Sequence, residues 1–138
     1  MFWLKVYEIP VASRTSKGRP LVNMLNLDDD ERVSEILPVE EFSDDKFIFM
    51  ATRKGITKKT NLSLFARKWK SGIKAINLDE DDRLVGTAIT DGKKEILLAS
   101  SAGKLIRFNE TKVRAMGRTA RGVKGMKLKK DQRLISLN

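Results

Sequence analysis

The chain has 138 residues, with 28 Lys and Arg against 18 Asp and Glu, for a formal charge of +10. At 41% apolar and 33% charged it is neither a disordered tail nor a membrane span, and its length is that of one domain or part of one. Cysteine and histidine are both absent, which excludes disulfides, thiol nucleophiles, Ser-His and Cys-His catalysis and most transition-metal sites. A reducing cytoplasm is the expected compartment, and a polyanion is the expected partner.

From the N-terminus, Met1–Val11 lacks the basic start and small-residue cleavage site of a signal peptide. Residues 22–47 then carry nine carboxylates against two bases, including the polar turn Asp28–Glu31. Phe47–Met50 is a short apolar run that predicts a strand, Arg53-Lys54-Gly55 a hairpin turn, and Ile56–Thr60 the returning strand. Residues 51–74 hold eight bases and no carboxylate, with Phe65 and Trp69 among them. Trp69 reads first as a core anchor and second as a surface on which a nucleotide base could stack. Asp79–Asp82 is a second polar turn, and Asp91-Gly92 a hairpin turn. Glu95–Ala99, Ser101-Ala102-Gly103 and Lys104–Phe108 predict a second hairpin, and Lys129–Gln132 a third polar turn. From Ser101 onward there are eleven bases and two carboxylates.

These elements repeat. Gly18 to Val33, Gly72 to Leu84 and Gly122 to Leu134 align with one Leu-to-Arg spacing, from Leu27, Leu78 and Leu128 to Arg32, Arg83 and Arg133. Ile48-x-x-Ala51-x-x-x-Gly55 aligns with Ile96-x-x-Ala99-x-x-x-Gly103, so Trp3, Lys59 and Arg107 fall on one repeat position. The period is about 50 residues, with a little under three copies, approximately 1–38, 39–88 and 89–138. No segment keeps a helical period for ten residues. Units of this length with about four short strands predict an all-β fold of propeller-like blades, each covering its neighbour. The chain begins and ends within a repeat, the pattern expected of a piece of a longer array. The open blade edges of such a piece predict self-association.

Val6-Tyr-Glu-Ile-Pro10 and Ala12 to Asn23 resemble the C-terminal domain of bacterial DNA gyrase A, as do Arg32 to Pro38 and Ile106 to Glu110. The segment Arg114-Ala-Met-Gly-Arg-Thr-Ala-Arg-Gly-Val-Lys-Gly-Met-Lys-Leu128 is the most specific part of the match. The resemblance implies a β-pinwheel, a propeller-like ring of roughly six blades. Its basic rim bends duplex DNA so that the holoenzyme, using ATP, introduces negative supercoils. It implies a bacterial cytoplasmic, nucleoid-associated protein. Its partners would be double-stranded DNA, the rest of gyrase A, and gyrase B. ATP and Mg would belong to the holoenzyme and no cofactor to this chain. The Gln-Arg-Arg-Gly-Gly-Lys-Gly-type box that closes the wrap in gyrase has no counterpart here; Ser13–Gly18 and Arg118–Gly125 belong to the blade repeat. Bending is therefore expected of this chain, and full wrapping is not. The related topoisomerase IV domain and a protein-binding propeller are the alternatives.

Catalysis is not expected. Tyr7 is the one tyrosine, has no base or Mg site beside it in sequence, and reads as a side chain packed on a blade. The acidic turns lack the Gly and Glu positions of a calcium loop, and no phosphate loop is present. The residues expected to contact DNA phosphates are Arg14, Lys17 and Arg19 in the first unit. In the second they are Arg53, Lys54, Lys58, Lys59, Arg67, Lys68, Lys70 and Lys74. In the third they are Lys104, Arg107, Arg114, Arg118, Arg121 and Lys124. Arg32, Arg83 and Arg133 read first as partners of the adjacent carboxylates and second as a repeated phosphate contact.

Overall fold

The computed structural model describes residues 1–29 and 31–138. Asp30, part of the first polar turn, lies outside the described residues. The strands are β1 (Phe47–Thr52), β2 (Ile56–Asn61), β3 (Leu84–Thr90), β4 (Glu95–Ser100), β5 (Leu105–Asn109), β6 (Val123–Lys124) and β7 (Leu134–Leu137). Short 3-10 turns accompany them, and no α-helix occurs among the described residues.

Both predicted hairpins form. Phe47 pairs with Asn61 and Ala51 with Thr57 across β1 and β2, while Glu95 pairs with Asn109 and Ala99 with Leu105 across β4 and β5. Gly55 and Gly103 take the turn positions at φ 82° and 72°. The strand after the second and the third polar turn returns to its own hairpin: β3 lies antiparallel on β1 and β7 on β4. Both pairings carry an irregularity at one repeat position, between Ala51 and Thr52 and between Ala99 and Ser100.

The sheets run β3-β1-β2-β6 and β5-β4-β7. The four-stranded sheet is thus completed across a repeat boundary, since β6 comes from the third unit. Asp91-Gly92 joins β3 of one sheet to β4 of the other, so this turn is a crossover between sheets and not the hairpin its dipeptide predicted. The first unit also departs from expectation, with no strand among the described residues of 1–38. No hairpin like those at 47–61 and 95–109 occurs among the described residues of 1–38.

Alternation along β1 organises the packing. Phe49 and Ala51 face one cluster, with Ile96, Leu98, Val113, Met126 and Leu134. Ile48 and Met50 face the other, with Leu62, Phe65 and Ile73, against which Met1, Trp3, Val39 and Phe42 pack. One core therefore joins the second and third units, the other the first and second. Each unit supplies half of a core that it cannot close alone.

Candidate nucleic-acid interface

The 3-10 turn Leu62–Phe65 follows β2 and buries Leu62 and Phe65 in the core. The chain leaving it is pushed outward, and Arg67, Lys68, Lys70 and Lys74 are all exposed. None of the four forms an ion pair with a described residue. Trp69, read first as a core anchor, is instead 50% exposed, with the Arg67 guanidinium 4.8 Å from its ring centre. Phe65 already fills the apolar site of this segment. Lys68 lies 5.4 Å over Phe42. The result is a cationic loop with an accessible indole, anchored by the buried Leu62 and Phe65.

Arg14, Lys17 and Arg19 are exposed on the strandless part of the first unit. Lys104, Arg114 and Lys124 are exposed in the third, and Arg118 is half-buried. Arg107 is exposed and 3.4 Å from Glu95, which sits on the neighbouring β4.

Two expected contacts are corrected. Lys58 and Lys59 lie inside the protein, because β2 has β1 on one side and the third unit on the other. Lys59 Nζ donates to the Glu110 carbonyl at 3.0 Å and lies 3.9 Å from the Glu110 carboxylate. Lys58 Nζ donates to the carbonyls of Ala75, at 2.7 Å, and Arg118. Burial, and secondarily the Arg118 charge, pushes the Lys58 ammonium from its ordinary 10.5 down to about 8. Between those values the unfolded chain holds a proton that the folded chain has released. The Lys58 contribution to stability therefore rises as pH rises from about 8 towards 10.5, and is smallest below that window. An NMR titration of the Lys58 ε-methylene should give a midpoint near pH 8; an unshifted midpoint would contradict its burial.

Two more of the expected phosphate ligands are engaged by protein groups. The Arg121 guanidinium grips Asp79 with two bonds, one of 2.6 Å from Nε, and holds that carboxyl below its ordinary value. Lys54 donates through its backbone N–H to Asp82 at 3.0 Å and through Nζ to the Glu80 carbonyl. Arg83 and Arg133, expected to pair with adjacent carboxylates, form no ion pair with a described residue. Their constant feature is the backbone: Arg53 N–H donates to the Arg83 carbonyl and Ser101 N–H to the Arg133 carbonyl, each at 2.8 Å. Tyr7 does not pack on a blade. It is 77% exposed, its hydroxyl bonded by Lys5 Nζ at 2.7 Å, since no sheet lies beside it.

Among the exposed cations outside the expected set, four fall together at the third polar turn: Lys127, Lys129, Lys130 and Arg133. The charge excess after Ser101 was their signal, but their place at a polar turn concealed them.

Paired hairpins that share a core, with the sheet of one completed by a strand from the next unit, define a propeller-like blade protein. A family model described as the DNA gyrase C-terminal domain, beta-propeller, matches residues 1–40, 46–91 and 94–138. The chain belongs to that family. It is 50% identical over 137 residues to the DNA gyrase A protein of Salmonella typhimurium, covering 99% of this chain and 16% of that protein. It is 53% identical over 128 residues to the Haemophilus influenzae counterpart, covering 93% of this chain and 14% of that protein. The chain therefore spans a small part of these relatives. The crystal structure of the C-terminal domain of DNA topoisomerase IV superposes with a TM-score of 0.81 at 33% identity, over 88% of this chain and 38% of that one. A DNA gyrase A C-terminal domain superposes with a TM-score of 0.76 at 24% identity, over 88% and 40%, and shares the fold.

Proposed function

We propose that this chain binds duplex DNA through the phosphates, with little regard to base sequence, and bends it. It would do so as the DNA-handling part of a gyrase A protein. The observation that carries this reading is the loop Arg67–Lys74, whose four cations are exposed and unpaired with any described residue. Family membership supports it. Duplex DNA presents one charge per roughly 1.7 Å of axis, so exposed cations find phosphates wherever the duplex lies against them. Bending by 40–90° costs on the order of 1–6 kcal/mol, which several such contacts would offset.

The rest of gyrase A, together with gyrase B, forms the proposed set of protein partners. ATP hydrolysis and strand cleavage are assigned to them, with ATP and Mg, and this chain is read as non-catalytic and without a cofactor. The proposed setting is the bacterial cytoplasm, at the nucleoid. Edge strand β5, with Leu105 60% exposed and no second neighbour among the described residues, is the proposed route to self-association.

Gel shifts with a random-sequence duplex across a salt series test the binding reading. Affinity should fall with a log–log slope of about −4 or steeper. Replacing Arg67, Lys68, Lys70 and Lys74 together by Ala should make that slope shallower by roughly 3–4. A wild-type affinity indifferent to salt would refute phosphate binding.

A further inference from the structure

Each of the two complete repeat edges sets a hairpin tip beside a polar turn, with one backbone geometry. The tips bond the Arg83 and Arg133 carbonyls alike, at 2.8 Å. The turns close alike, with Glu31 N–H on the Asp28 carbonyl at 2.9 Å, Asp82 on Asp79 at 3.1 Å and Gln132 on Lys129 at 3.0 Å. This geometry does not require negative charge. Gln132 Oε1 accepts from Lys129 N–H at 3.1 Å, as Glu31 Oε2 accepts from Asp28 N–H at 3.1 Å. An amide oxygen serves where a carboxylate does.

The charges are nevertheless exchanged between units. In the second unit the tip carries Arg53 and Lys54 and the turn four carboxylates, Asp79 to Asp82. That edge satisfies itself: the turn holds Lys54 and also takes Arg121 from the next unit. In the third unit the tip, Ser101-Ala102, is uncharged, and Lys129 and Lys130 stand where Asp79 and Glu80 stood. Lys127 and Arg133 flank them, with Asp131 the one carboxylate in the turn. All four cations are exposed, and none pairs with a described residue. Like charges crowded on one turn repel unless an outside anion lies against them.

We propose that the turn Lys127–Arg133 is a phosphate-binding element for the duplex backbone, separate from the Arg67–Lys74 loop. On this edge the third unit grips DNA, while the second unit's edge is neutralised by its own carboxylates. The inference rests on the DNA-binding reading above and adds to it four residues and an asymmetry between units.

The test is fluorescence anisotropy of the full chain with a labelled random-sequence duplex over a salt series. One variant carries Lys129→Asp and Lys130→Glu, the second unit's own residues. A charge-matched control carries Lys93→Asp and Lys112→Glu at exposed positions elsewhere. A neutral variant, Lys129→Gln with Lys130→Gln, removes the contacts without adding negative charge, and circular dichroism confirms that each variant folds. The turn variant should lose roughly 10–100-fold in affinity and its salt slope should become shallower by about 2. The neutral variant should show the same change in slope, and the control should keep the wild-type slope. Steep wild-type binding with an unchanged slope in both turn variants overturns this inference alone, as does an equal loss of slope in the control. Salt-independent wild-type binding overturns the DNA-binding reading itself.

Discussion

Replacing Glu110 by Ala should destabilise the fold by about 3–5 kcal/mol and lower its melting temperature by roughly 10–20 °C. Glu110 is 0% exposed. Its carboxylate accepts from Thr90 Oγ1 at 2.7 Å and from Lys94 N–H at 2.8 Å, and lies 3.9 Å from the Lys59 ammonium. Thr90 ends β3 and Lys59 lies in β2, so this one side chain ties the end of β3 to β2, two strands of the four-stranded sheet. Truncation leaves the buried Thr90 hydroxyl and the part-buried Lys94 N–H without their acceptor, and the buried Lys59 ammonium without its counter-charge, each costly in a low dielectric. Residue Leu62 occupies the matching position in the second unit and is fully buried, so an apolar side chain is compatible with the backbone there. Glu110→Leu should therefore be partly rescued by Lys59→Met, which removes the stranded charge. Thermal and urea unfolding of the single and double variants checks both statements. A loss below about 1 kcal/mol in Glu110→Ala, or no gain from Lys59→Met, would show that the network contributes little.

The second large effect concerns the approach of β6 to β2. An added Cβ at Gly122, which lies at φ 103°, would stand 2.5 Å from the Thr57 carbonyl oxygen and 2.9 Å from Ile56 Cγ2. At Gly125 it would overlap Thr57 Cγ2 and stand 2.8 Å from Thr57 Oγ1. Gly125 and Met126 also donate to the Gly55 carbonyl at 2.9 and 3.2 Å, so displacing β6 breaks bonds to the preceding hairpin. Gly122→Ala and Gly125→Ala should each destabilise by about 1–3 kcal/mol. The two should respond differently to Thr57→Ala. That change removes the side-chain atoms in the way of Gly125→Ala and should restore much of its stability. It leaves the backbone oxygen facing Gly122 and should not help Gly122→Ala. Equal rescue of both by Thr57→Ala would mean that the close approach at Gly122 is not to the backbone.

Much of the architecture was legible locally. Both hairpins, their turn glycines and the strand after the second and third polar turns follow from short patterns repeated at a period of about 50 residues. The first unit was less legible, because its residues look like those of the other copies and yet form no strand among those described. The candidate site was read in part. Charge density pointed to the Arg67–Lys74 loop, where Phe65 is buried and the cations after it are exposed. It could not identify the cations that protein groups had already engaged, such as Arg121 on Asp79, 42 residues away in sequence.

The amino-acid sequence alone determined the repeat, its all-β character, the hairpin turns and the segregation of acid from base, because each is written in neighbouring residues and their spacing. Tertiary structure alone decided which cations reach solvent. Lys59 and Arg107 hold the same position in the repeat, yet Lys59 is buried on β2 between two strands and Arg107 is exposed on edge strand β5. A side chain's solvation depends on whether a neighbouring strand and the loops behind it cover its face, and here that cover comes from residues some fifty positions away.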